Sequence, residues 1–179
     1  VIRRSPINLS SQEEIGIEFN TNYTHSKNWR IGGNLNFYQS EIIGNYNGVI
    51  YDSKNLIWSG RLNNYLKLFS SVDWQTRLSY RGPQKNAIST RKASISTNTA
   101  FSKDIYEDKM TLTFKINDLF ETQKWRLETF GQTYKNYTES SWRGGRNFNL
   151  SLIYRFNQKK KQGNNRPNYQ DYGGEGFGG

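Results

Sequence analysis

The chain has 179 residues, with 25 Lys and Arg against 15 Asp and Glu, for a formal net charge of +10. It has no Cys and one His, His25, which excludes a disulfide framework, a thiolate metal site and a multi-His metal cluster. Aromatics make up 15% of the residues and all hydrophobics only 34%, a low apolar content for a soluble globular domain, concentrated in large side chains. No run approaches the roughly 20 apolar residues of a membrane helix. That criterion does not reach strand-crossing proteins, whose strands turn only every second residue toward lipid.

Residues 1–6 hold no apolar h-region of a signal peptide, so either a leader is removed or the sequence begins inside a longer chain. From residue 14 the chain alternates with period two. Ile15, Ile17, Phe19 and Tyr23 interleave with Glu14, Gly16, Glu18, Asn20 and Asn22. After a turn at residues 26–28, Trp29, Ile31, Leu35 and Phe37 interleave with Arg30, Gly32, Asn34 and Asn36, which predicts a hairpin with one apolar and one polar face. The same pattern returns over residues 56–68, 74–81, 94–101, 110–117 and 147–156. The expectation is about seven strands, each near the 9–11 residues that cross a bilayer at a tilt.

The connections also alternate. Residues 27–28, 70–73 and 102–108 are short, whereas 41–54, 82–91 and 118–145 are long. Short periplasmic turns and long outer loops are the habit of outer-membrane barrels. Aromatics gather at both strand ends: Tyr23, Trp29, Trp74, Phe101, Tyr154 and Phe156 at the short-turn end, Phe37, Trp58 and Tyr80 at the other. Membrane interfaces select such girdles. The expected fold is all-β, an antiparallel transmembrane β-barrel. Seven is odd where bacterial single-chain barrels have even numbers. The chain is therefore expected to supply the C-terminal strands of a larger barrel, rather than a complete barrel of eight. Residues 1–156 form the barrel portion and residues 157–179 a Gly-rich basic tail on the periplasmic side.

The ending Phe148-Asn-Leu-Ser-Leu-Ile-Tyr-Arg-Phe-Asn157 resembles the last strand of Bacteroidota-type outer-membrane β-barrel proteins similar to TonB-dependent receptors. Lys115-Ile-Asn-Asp-Leu-Phe120, Trp125-Arg126, Glu128-Thr-Phe-Gly131, Pro6-Ile-Asn-Leu9 and Gly174-Glu-Gly-Phe177 match as well. The resemblance implies a receptor-like transporter for nutrient uptake, with a plug domain and an energy-transducing partner, neither of which lies in these residues. It also implies outer-membrane lipid and the barrel-assembly machinery as partners. The tail beyond Phe156 departs from the usual terminus, where the chain stops at the aromatic.

No nucleophile triad or phosphate loop is found, so the chain is expected not to be an enzyme and to need no cofactor. Glu13, Glu14 and Glu18 are expected to be solvated rim or lumen groups rather than a cation site. Aromatics and Arg dominate binding hot spots. The candidate outer contacts are therefore Tyr46 and Tyr51 in one long connection, and Trp125, Phe130, Tyr134, Tyr137, Trp142 and Arg143 in another. The competing expectation for the latter is strand extension above the membrane. In the tail, Tyr169, Tyr172 and Phe177 are candidates for docking on a periplasmic protein or on the barrel's underside. The charge alone is compatible with nucleic acid. Phase argues against it, because Trp29, Trp74 and Phe114 fall on the face opposite Arg30, Arg77 and Lys115. A barrel with a structural or docking role is the other function this pattern fits.

Overall fold

The structure is a computed structural model that describes residues 11–156, apart from residues 47, 51, 70, 87, 108, 132, 142 and 143. In chain order the strands are β1 (Ser11–Ser26), β2 (Trp29–Ile43), β3 (Asn45–Tyr46), β4 (Val49–Ile50), β5 (Ser53–Leu68), β6 (Val72–Arg81), β7 (Gln84–Lys85), β8 (Ser89–Arg91), β9 (Ser94–Ile105), β10 (Met110–Asn117), β11 (Lys124–Phe130), β12 (Lys135–Ser141) and β13 (Asn147–Tyr154). Seven of them form one antiparallel sheet in the order β1-β2-β5-β6-β9-β10-β13.

Antiparallel partners share a face, so the register turns the period-two pattern into rows running across the sheet. One row reads Trp29, Leu66, Trp74, Phe101, Phe114, Leu150. Another pairs Leu62 with Leu78. On the opposite face Asn20, Asn34, Arg61, Ser79 and Ser96 make a polar row. One face is thus apolar from edge to edge, and the other polar.

Neither face has a protein layer against it over most of its extent. Among the described residues Ile57 is the one buried hydrophobic side chain, whereas Ile17, Phe19, Leu62, Leu150 and Leu152 are all exposed. In water a sheet must bury its apolar face against a second layer, and an exposed apolar surface of this extent marks a lipid or protein contact. Polar atoms on that face are partnered: the Trp29 indole N–H donates to Asn64 Oδ1 at 2.8 Å, and that of Trp74 to Thr99 Oγ1 at 2.9 Å.

Aromatic stacks stand where the girdles are expected. Phe37, Trp58 and Tyr80 stack at the long-connection end, with centroids 6.2 and 4.2 Å apart, and Trp74 with Phe101 at the other, 6.2 Å apart. Gly82 makes room for the first stack. A Cβ there would meet the Trp58 carbonyl oxygen at 2.8 Å and its ring at 3.2 Å.

The seven strands form an open sheet with β1 and β13 at opposite edges, and three other expectations need correction. In a run of seven hairpin-linked strands the first and last point the same way, so they cannot complete an antiparallel ring. Strand lengths depart from 9–11 residues, being 16, 15 and 16 for β1, β2 and β5 but 8 for β10 and for β13. The long strands continue pairing past the girdles, whereas β10 is cut short by a turn at Asp118. The short connection read at 102–108 is mostly strand, since β9 pairs with β10 as far as Ile105. The final strand ends at Tyr154, and Phe156 follows in an exposed turn. The expected tail at 157–179 lies outside the described residues.

Candidate functional site at the long-connection end

The connections at residues 82–91 and 118–145 are not irregular loops. They supply a second antiparallel sheet in the order β12-β11-β8-β7, while β3 and β4 form a separate small hairpin. The diversion into this sheet starts at Asp118, which has a positive φ of 51°. Its amide donates to Asn98 Oδ1 at 2.8 Å, and its carboxylate accepts from the amides of Thr122 at 2.9 Å and Gln123 at 3.1 Å. The Leu119 amide donates to the Thr97 carbonyl at 2.7 Å. The chain therefore leaves β10, runs along β9 and rises into β11.

The register of the second sheet separates its side chains. Trp125, Leu127 and Arg91 share one face, and Lys124, Arg126, Glu128 and Phe130 the other, with Tyr137 and Glu139 across from them. On the first face the Arg91 guanidinium lies 4.1 Å from the Trp125 ring centroid. On the second, Lys92 and Lys135 meet Glu128 at 2.9 and 3.5 Å, and Lys124 meets Glu139 at 3.1 Å. The Tyr137 hydroxyl donates to Glu139 at 2.7 Å.

β7 stands against the polar face of the main sheet, where the Asn55 side-chain amide donates to the Lys85 carbonyl. Ile57 and Ser40 are buried there, at 3% and 4% exposure. The second sheet thus leans over one end of the polar face. Ile57 was not singled out by the sequence reading. Its signal was a break in alternation, an apolar residue at a polar position between Leu56 and Trp58.

The candidate contact residues are only partly brought together. Trp125 is on the opposite face from Phe130 and Tyr137, so these three cannot line one pocket. Phe130 lies 5.4 Å from the Lys135 ammonium, and Tyr134 folds over Gly131, whose amide donates to the Tyr134 carbonyl at 2.8 Å. Tyr46 is in β3, in a hairpin separate from the sheet that carries Trp125, Phe130 and Tyr137. Tyr51, Trp142, Arg143, Tyr169, Tyr172 and Phe177 lie outside the described residues. Glu13, Glu14 and Glu18 are exposed on β1, and among the described residues no group of three His, Cys, Asp or Glu could hold a metal ion. The hollow lined by Glu41, Ile43, Asp52 and Lys54 is wide open, and Lys54 pairs with Glu41 across it at 3.0 Å.

Residues 1–154 match the model of an outer membrane protein beta-barrel family. The chain belongs to that family. No curated protein and no solved structure matched it. In an outer-membrane barrel the apolar face of the main sheet meets lipid and the polar face lines the interior, and the short turns mark the periplasmic end. The β12-β11-β8-β7 sheet then stands at the outer mouth, on the interior side.

The carboxylates of this outer sheet give it a pH response. The hydrogen bond from Lys92, with the charge of Lys135, holds Glu128 below the usual carboxylate value of 4.5. Tyr137 and then Lys124 do the same for Glu139. Because the folded values are depressed, the stabilisation is fully present above pH 4.5 and is lost as pH falls through the lower folded values. Hydrogen exchange in β11 and β12, corrected for intrinsic rates, is expected to accelerate selectively between pH 5 and pH 3. Protection unchanged relative to β5 and β6 would show that the pairs do not hold the outer sheet.

Proposed function

We propose that this chain is the C-terminal sector of a larger outer-membrane barrel, a receptor-like transporter of the TonB-dependent, Bacteroidota type that takes up a nutrient, and that it is not an enzyme. The observation that carries this reading is the outer sheet leaning over a polar, water-compatible face at one mouth of a sheet whose other face suits lipid. A purely structural barrel has no need of an elaborated mouth. The two open edges, at β1 and β13, call for further strands, because lipid offers backbone groups no partner. The barrel-assembly machinery would be the partner that completes the closure.

The test is growth of cells lacking the gene on limiting single nutrients. Slow growth on one class, restored by the intact gene and not by one lacking residues 124–141, is the expected result. Normal growth on every nutrient tested would refute uptake and leave the second reading, a barrel that docks partners.

That second reading has its own motive in residues 157–179. Lys159, Lys160 and Lys161 precede Tyr169, Tyr172 and Phe177, a sequence of cations and spaced aromatics suited to the periplasmic membrane surface and to a partner's groove. Deleting residues 166–179 is expected to leave folded barrel levels unchanged and to remove a co-purifying periplasmic or outer-membrane protein. Identical co-purification from the truncated chain would defeat the docking role.

A further inference from the structure

The polar face carries four of its arginines in consecutive rows. Arg30, Arg77, Arg61 and Arg81 occupy four successive rows of the sheet, from the periplasmic end toward the outer mouth. Arg77 pairs with Asn63 and Arg61 with Ser79, so Arg77 and Arg61 are diagonal neighbours. Arg61 and Arg81 stand in the same relation, because Arg81 pairs with Ser59. Diagonal neighbours on one face lie roughly 7–8 Å apart, closer than the Debye length in physiological salt. Arg91, braced on Trp125, extends the series into the outer sheet.

Two of these side chains are held in place: Arg77 Nε donates to Asn63 Oδ1 at 2.9 Å, and the Arg30 guanidinium lies 4.6 Å from the Tyr65 ring centroid. Among the described residues no carboxylate forms an ion pair with Arg61, Arg81 or Arg91. Asp73 is engaged by Tyr65 at 2.7 Å and Lys67 at 3.8 Å, and Glu18 sits three strands away from Arg81 on β1. Burial, and then repulsion from Arg81, hold the Arg91 guanidinium below its ordinary pKa.

We propose that this arginine series is a track for anionic solutes, binding carboxylate or phosphate groups first at Arg81 and Arg91 and then along Arg61 and Arg77. It rests on the uptake reading and narrows it to an anionic nutrient. Guanidinium forks match planar carboxylates and phosphates in bidentate geometry. Rows spaced by two residues would let a bound anion move from one fork to the next without crossing an uncharged gap. The interleaved Asn and Ser supply neutral donors between them.

The experiment is calorimetric titration of the intact protein in lipid vesicles with sodium phosphate and, separately, sodium citrate, in about 150 mM sodium chloride. Saturable binding of either is expected, the preferred probe revealing which oxyanion the track suits. Arg81→Gln with Arg91→Gln is expected to weaken it at least tenfold. Lys27→Gln, in the exposed turn between β1 and β2 at the other end of the sheet, should leave it unchanged. Heat-modifiable mobility verifies folding, and Arg81→Gln alone, at an exposed side chain, serves if the double variant does not assemble. Binding no stronger than that of chloride, or equal binding by parent and variant, would overturn the proposal. Binding retained in a protein whose loss has no growth effect would support the track and refute uptake. Uptake without anion binding would do the reverse.

Discussion

Leu62→Arg is expected to reduce the folded barrel sharply, while Leu112→Arg and Arg61→Gln leave it nearly intact. Leu62 projects from β5 on the apolar face, directly across from Leu78. It lies four residues from Trp58 and four from Leu66, which pairs with Trp74, and so midway between the two aromatic girdles. Charge on the lipid face costs about 2–4 kcal/mol at the midplane and only about 0–1 near the interfaces. Leu112 shares the apolar face, and the alternation alone would make it an equal target. The register places it across from Lys103, within a few residues of the short turn after β9. A cation is already tolerated in that row, with its stem along the apolar surface and its ammonium reaching the interface. Arg61 points inward, and Gln keeps its polarity. Heat-modifiable mobility and urea titration in vesicles would rank the three variants. Equal damage from Leu62→Arg and Leu112→Arg would mean that depth along the strands has been misassigned.

That contrast shows where the sequence was legible and where it was not. Alternation is a property of single strands, so the seven strands and their two faces could be read residue by residue. Depth is a property of pairing between strands, and only the register brings Lys103 beside Leu112. The outer sheet was legible only in part, since strand extension was expected of residues 118–145 but not of residues 82–91. β7 and β8 are 2 and 3 residues long, too short for periodicity to register, and they exist because β11 pairs alongside β8. The candidate contacts suffered most. Trp125, Phe130 and Tyr137 look like one aromatic cluster in sequence, but an odd spacing between Trp125 and Phe130 puts them on opposite faces once β11 forms. The arginine series was visible residue by residue, yet its order appears only when β5 and β6 are aligned.

Asp118→Ala is expected to detach the outer sheet without unfolding the main one. Asp118 is 2% exposed, and its carboxylate accepts hydrogen bonds from two consecutive amides, those of Thr122 and Gln123. Removing the side chain leaves both part-buried donors without their acceptor, each at a cost toward the lower end of the about 1–3 kcal/mol of an orphaned buried group. The backbone adds to this, because φ at residue 118 is 51°. Asp and Asn visit that left-handed region more readily than Ala, for which it costs roughly 1 kcal/mol or more. Asp118→Asn keeps one acceptor oxygen and the tolerance for positive φ, so its effect should be clearly smaller. The damage should stay local. The turn steers the chain from β10 to β11, and β11 is the strand through which β12 joins the outer sheet. β10 itself remains paired with β9 and β13 over residues 110–116. Limited proteolysis of protein in vesicles should therefore cut within residues 118–146 in Asp118→Ala, far faster than in the parent, with Asp118→Asn between them. Heat-modifiable mobility should be the same for all three. Equal protease resistance would mean that the turn is held by the Asn98 and Thr97 contacts alone, whereas loss of the whole barrel would make Asp118 part of the main sheet's stability rather than the hinge of the outer one.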